Sequence, residues 1–173
     1  PLSSWEEVLI IASQLPALRW LSLDNVALRS SDLRPDGTLG AALGSVRALC
    51  LSRTSVSWDA MMQLAATMAL LTELHFNGNE VCTLVSSPQA PLPLFELREL
   101  SLEDNQIQSW DELQPLSVLP HLEVLNLKGN ALTAMPASVV GFASLRHLML
   151  RGNKLGLWSD VDALNSFPKL REA

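Results

Sequence analysis

One pattern, Leu-x-x-Leu-x-Leu-x-x-Asn-x-Leu, returns down this chain and limits what it can fold into. The clearest copies begin at Leu97 (LRELSLEDNQI), Leu122 (LEVLNLKGNAL) and Leu145 (LRHLMLRGNKL), with a good fourth at Leu71 (LTELHFNGNEV). Weaker copies begin at Leu18 (LRWLSLDNVAL) and Val46 (VRALCLSRTSV), and a seventh opens at Leu170. Successive starts lie 23 to 28 residues apart. A unit of that length cannot bury its own apolar side, so the copies must stack on one another. Within each copy the x-Leu-x-Leu-x core alternates faces as a short strand does. Leucines such as Leu125 and Leu127 then point into the core, and the residues between them point outward. The expected class is α/β: a solenoid with short parallel strands on a concave face and helices and loops on a convex face.

The pattern resembles the leucine-rich repeat, and its asparagine has a physical role. At the bend after each strand an amide can both donate to and accept from backbone groups that the turn leaves unpaired. Asn79, Asn105, Asn130 and Asn153 hold that place and are expected to form a structural ladder. Val26 and Thr54 stand there in the first two copies, which predicts a less regular N-terminal third.

The returning segments differ in kind. Four carry a tryptophan at one phase of the repeat: Trp5, Trp58, Trp110 and Trp158. Each is expected to cover the edge of the core beside a helix start. Ser4 with Glu7 and Ser109 with Glu112 have capping-box spacing, and Ser57 is a plain N-cap. Helices are therefore expected over 4–14, 57–68 and 159–166, with the one from 109 interrupted at Pro115. Segment 133–144 reads as a tighter return, and 29–45 and 82–96, rich in Gly, Pro and Ser, read as longer loops. Leu170 opens a copy that does not close, and 4–14 reads as the back half of another. The expectation is one domain over 1–173, about six full repeats cut from a longer protein at both ends.

Composition narrows the function classes. The 173 residues are 48% apolar and 17% charged, which excludes intrinsic disorder. The net charge of −6 counts against a general nucleic-acid scaffold. No apolar run approaches the ~20 residues of a membrane span, so no membrane partner is expected. Two cysteines, Cys50 and Cys82, cannot build a disulfide scaffold or a four-cysteine zinc site, and there is no Asn-x-Ser/Thr sequon. Both points favour an intracellular protein. No hydrolase, zinc-protease or phosphate-loop motif occurs, so no enzyme activity, cofactor or small-molecule substrate is expected. His75, His121 and His147 fall too far apart in the repeat to share a metal, and no metal site is expected.

What remains is the concave face, the surface that solenoids commonly use for binding. Its outermost column holds Arg19, Arg47, Arg98, Arg146 and Arg171, with Thr72 and Glu123 between them. Further in lie Glu73, Glu99, Glu103 and Asp104, then Lys128, His147, Met149 and Arg151. The face is thus expected to be acidic in its middle and basic toward the C-terminal end. The candidate contact residues are Trp20, His75, Glu99, Glu103, Lys128, Arg146, His147, Met149 and Arg151.

A finer style couples a Ser-Trp-acid helix start to the following repeat, in LSSWEEVLIIASQLPALRWLSLDNVAL (2–28) and VSWDAMMQLAATMALLTELHFNGNEV (56–81). LRHLMLRGNKLGLWSDVDALNSFPKLREA (145–173) continues it. In this style the chain resembles the leucine-rich-repeat region of the tubulin-folding cofactor E family, the tubulin-specific chaperones E. In that family the repeats lie between a glycine-rich cytoskeleton-associated domain and a ubiquitin-like domain. The resemblance implies a non-catalytic cytoplasmic, cytoskeleton-associated chaperone module. Its implied partners are α-tubulin and the other tubulin-folding cofactors, engaged as the αβ heterodimer is assembled or dissociated. The other reading is an intracellular adaptor of the phosphatase-regulating or axonemal kind, whose repeats tend to be more uniform and nearer 22 residues.

Overall fold

The structure is a computed structural model that describes residues 2–33, 37–84 and 92–173. Six three-residue strands, β1 (Trp20–Ser22), β2 (Ala48–Cys50), β3 (Glu73–His75), β4 (Glu99–Ser101), β5 (Val124–Asn126) and β6 (His147–Met149), form one parallel sheet in chain order. The register repeats without a slip. Leu21, Leu49, Leu74, Leu100, Leu125 and Leu148 lie side by side across it. Each strand holds one inward leucine at its centre, and the second inward leucine of the repeat follows directly after it. A one-residue slip would turn that whole leucine column outward. At the far edge His147 also bridges Glu172, the start of the copy opened by Leu170.

The first three strands are as regular as the last three, so the expected irregularity of the N-terminal third is not in the sheet. It lies in the side chains at the first two bends and in the returning segment 29–45. Just before each ladder position the chain takes a positive φ: Asn25, Arg53, Gly78, Asp104, Gly129 and Gly152. Glycine enters this left-handed region freely, and Asn and Asp tolerate it. The repeat therefore constrains this position by backbone angle rather than by side chain.

The convex layer corrects several expectations. Helix α1 (Trp5–Ser13) starts at Ser4 with the full capping box to Glu7. Helix α3 (Trp58–Ala65) starts at Ser57, whose hydroxyl accepts the Ala60 N–H. Between them, the segment 29–45 is not all loop. It holds a short 3-10 turn (Ser30–Asp32) and helix α2 (Thr38–Leu43), whose Leu39 and Leu43 are buried. Gly40, which looks like a breaker, lets α2 lie against Thr67: a Cβ there would collide with the Thr67 hydroxyl. Of the expected loop 82–96, residues 85–91 lie outside the described residues, and the rest has no regular element.

The segment after Ser109 is a 3-10 helix, Trp110–Leu116, with Pro115 inside it. The capping box with Glu112 does not form; the Ser109 hydroxyl accepts the Asp111 N–H instead. The tighter winding has a cause in packing. Three residues per turn place Trp110, Leu113 and Leu116 on one side, and all three are buried. Helix α4 (Trp158–Ala163) runs on into a 3-10 turn, Leu164–Ser166.

The tryptophans share a phase but not a fate. Trp5 and Trp58 are buried, and their indole N–H groups donate to the carbonyls of Arg29 and Leu84 in the following coil, at 3.1 and 3.2 Å. Trp110 is buried among Phe142 and Phe167, edge-on to the latter. Trp158 is 85% exposed, against expectation. It stands at the start of α4.

Candidate functional site

The bends after the strands are held by the asparagine ladder, which fixes how one strand is presented to the next. The Asn105 carbonyl accepts the N–H groups of Asn79 and Val81, both at 3.0 Å, and its amide donates to Phe76 O at 3.0 Å. Asn130 accepts from Ile107 N at 3.1 Å and donates to Leu102 O and Leu127 O at 2.8 and 3.1 Å. Asn153 accepts from Leu132 N and donates to Leu127 O and Leu150 O. Asn79 accepts from Thr54 N and donates to Leu51 O. Each amide thus joins its own coil to the coil before it. Thr54 manages a local bond to Leu51 O at 3.1 Å, and Val26 packs against the core instead.

A second polar chain, absent from the sequence reading, runs along the open side of the sheet. The Ser101 hydroxyl donates to Asn77 Oδ1 at 2.7 Å, which also accepts Glu103 N at 2.8 Å. The Asn126 amide donates to Ser101 Oγ at 3.0 Å and to Glu103 Oε2 at 2.9 Å. Asp24 accepts Ser52 N from the neighbouring coil. These residues occupy the variable positions between the leucines, where a repeat motif carries no signal. The detectable hint is a run of short polar residues at one column: Asp24, Ser52 and Asn77.

The candidate contact residues all lie on this concave side. Trp20 is 60% exposed on β1. His75 on β3 and Glu99 on β4 are half-buried and close together; Glu103 is tied to Asn126. Lys128, Arg146, His147 and Met149 are half-buried around β5 and β6, and Arg151 is exposed. The three histidines do not converge: β3 and β6 are three strand spacings, roughly 14 Å, apart.

Charge pairing reshapes the basic end. Glu123 sits between two arginines of the outer column, 2.7 Å from Arg98 and 3.6 Å from Arg146. His147 Nδ1 lies 3.1 Å from Glu172. Arg146 and His147 therefore each have a carboxylate neighbour. Among the described residues, Lys128 and Arg151 have no ion-pair partner. Both stand beyond the C-terminal ends of their strands, in the same column as Glu103.

Two other groups are tuned by their surroundings. Burial, with the negative charges of Asp24 and Glu73, pushes the Cys50 thiol up to about 11, so it is an inert neutral group on the sheet. The backbone N–H groups of Met135, Leu157 and Gly156 hold the Asp160 carboxyl below its usual value. Asp160 thereby stabilises the last coil at neutral pH, a contribution lost as pH falls through its lowered pKa. Among the described residues no helix is long and apolar enough to cross a membrane.

Comparison with known proteins agrees with this geometry. The leucine rich repeat family model matches residues 95–155. Tubulin-folding cofactor E of Arabidopsis thaliana is 37% identical over 144 residues, 83% of this chain and 26% of the relative. The tubulin-specific chaperone cofactor E-like protein of Homo sapiens is 35% identical over 176 aligned residues, 99% of this chain and 40% of the relative. The chain thus spans well under half of either relative's length. Among solved structures, a leucine-rich-repeat protein of Leptospira interrogans superposes with a TM-score of 0.64 at 24% identity, covering 94% of this chain and 38% of that one. An internalin of Listeria monocytogenes gives 0.57 at 19% identity, covering 96% and 51%. These structural neighbours share the fold alone. The chain is a leucine-rich-repeat array whose sequence relatives are the tubulin-folding cofactors E.

Proposed function

We propose that this chain is the protein-binding module of a cytoplasmic tubulin-folding chaperone, and that its concave face engages α-tubulin while the αβ heterodimer is assembled or dissociated. The observation that carries the reading is the relationship, over most of the chain, to proteins named for tubulin folding. The shape of the site supports it. A continuous six-stranded sheet offers a broad polar surface of the kind solenoids use to bind protein partners. The other tubulin-folding cofactors would act beside it on the same substrate.

The role of the basic end is testable at Lys128 and Arg151. Replacing both Lys128→Glu and Arg151→Glu should weaken binding of purified αβ-tubulin by about tenfold, close to 1.4 kcal/mol. Asp59→Lys, a charge reversal at an exposed position of the convex helix α3, should leave the affinity unchanged. Equal affinity in the double variant, or a loss confined to Asp59→Lys, would move the contact off the concave face.

A further inference from the structure

The middle of the concave face carries a cluster that neither the repeat nor the tubulin reading requires. Glu73 and Glu99 are directly in register on adjacent strands. Like charges placed opposite each other on neighbouring strands repel. Into this pair projects His75, two residues along β3 and therefore on the same side as Glu73. Its Nε2 lies 2.6 Å from Glu73 Oε1. One ligand atom from each of Glu73, His75 and Glu99 lies within 4.8 Å of the others. The Glu73–His75 hydrogen bond accounts for only one of the two carboxylates. The Glu99 side chain is half-buried and, among the described residues, has neither a hydrogen-bond nor an ion-pair partner. Its register neighbour on the other side, Val124, has no polar side-chain atom to offer it.

We propose that Glu73, His75 and Glu99 form a binding site for a divalent transition-metal ion, with zinc the ion that best suits one imidazole and two carboxylates. Zinc takes nitrogen and oxygen donors at about 2.1 Å in a tetrahedral array, which places the donors about 3.4 Å apart. The present donors span that value, from 2.6 Å to a limit of 4.8 Å, so rotation of the glutamate side chains suffices to close the set. The ion would relieve the cross-strand repulsion, give Glu99 its partner and tie β3 to β4. Three protein donors leave the fourth position to water on the open side of the sheet, where a donor from a bound partner could replace it. The imidazole distinguishes the site from an all-oxygen one, which magnesium and calcium prefer.

The test is calorimetric titration of zinc into the chelator-treated chain near neutral pH, with magnesium as the comparison. The site predicts one saturable zinc equivalent and far weaker magnesium binding. His75→Gln and Glu99→Gln should each weaken zinc binding at least about tenfold, while His147→Gln leaves it intact. Glu99→Gln nearly preserves shape at a position whose charge has no partner, so it tests binding without disturbing the fold; circular dichroism verifies this. A shift of the His75 imidazole nitrogen resonance on adding zinc would locate the ion. Absence of a zinc equivalent, zinc binding untouched by either variant, or magnesium binding as tight as zinc would overturn the proposal. None of these outcomes bears on tubulin binding, so the two proposals fail separately.

Discussion

Replacing Asn130 with alanine is expected to destabilise the array by about 3 kcal/mol. The side chain is buried and bonds four backbone groups in two coils, the contact to Lys128 O being the longest at 3.4 Å. Leu127 O keeps a second donor, the Asn153 amide. Ile107 N and Leu102 O would be left buried without the partners they have now. Each such orphan costs about 1–3 kcal/mol, which water entering the small gap only partly offsets. For a chain of this size the melting temperature should fall by roughly 6–12 °C. Asn77→Ala supplies the contrast. Asn77 also bonds backbone and side chain, but on the half-buried open side, where water takes its place. Its cost should stay under about 1 kcal/mol. Denaturant unfolding of the two variants in parallel separates the cases, and equal costs would mean that the ladder does not hold the coils together.

Leu100→Ala should cost about as much, near 3–4 kcal/mol, by a different route. Leu100 is fully buried at the centre of the leucine column, between Leu74 and Leu125. Truncation leaves a cavity among close-packed neighbours that hydrogen-bonded strands cannot close. In a solenoid each coil is stabilised mainly by contact with its two neighbours. A defect at the fourth of six strands therefore weakens the joint between the halves rather than one end. Unfolding should lose cooperativity as well as stability, with a lower denaturant midpoint and a reduced slope. The equivalent truncation at the sheet edge, Leu21→Ala, should be milder, because Leu21 is only half-buried. An equal effect at both positions would contradict the nearest-neighbour account.

Much of this architecture is legible in the repeat itself. The leucine spacing specifies six strands, their parallel order and their register, because a burial period of two admits one alignment of Leu21 through Leu148. The ladder asparagines are legible for the same reason: a polar residue at a fixed inward position needs fixed partners. The convex layer is less so. Gly40 reads as a helix breaker by propensity, yet tertiary packing uses its missing Cβ to seat α2 against Thr67. At Ser109 the capping-box spacing is present, but the three-residue period of Trp110, Leu113 and Leu116 wins and winds the segment as 3-10. Trp158 has the phase of its buried counterparts yet is exposed, whereas Trp5 and Trp58 donate to carbonyls of the following coil, contacts that the repeat phase alone does not reveal.

The binding face is partly legible. Its residues can be placed by counting from the leucines, and Trp20, Lys128 and Arg151 stand where that count puts them. Their charge state with respect to neighbours cannot be counted in the same way. Arg98, Glu123 and Arg146 share one column, so their mutual pairing follows from the register, but its extent depends on side-chain rotamers. The Asn77–Ser101–Asn126 chain and the Glu73–His75–Glu99 cluster likewise require distances across strands, which a one-dimensional motif does not contain.

The most direct test of the central claim is a titration of this chain, without flanking segments, against purified αβ-tubulin at low and high salt. Exposed charges act over a distance that shrinks from about 10 Å at 0.1 M salt to about 3 Å at 1 M. Saturable binding that weakens as salt rises is the predicted result, and it would put the tubulin contact on the charged concave face. Absence of binding at low salt, or binding indifferent to salt, would contradict it.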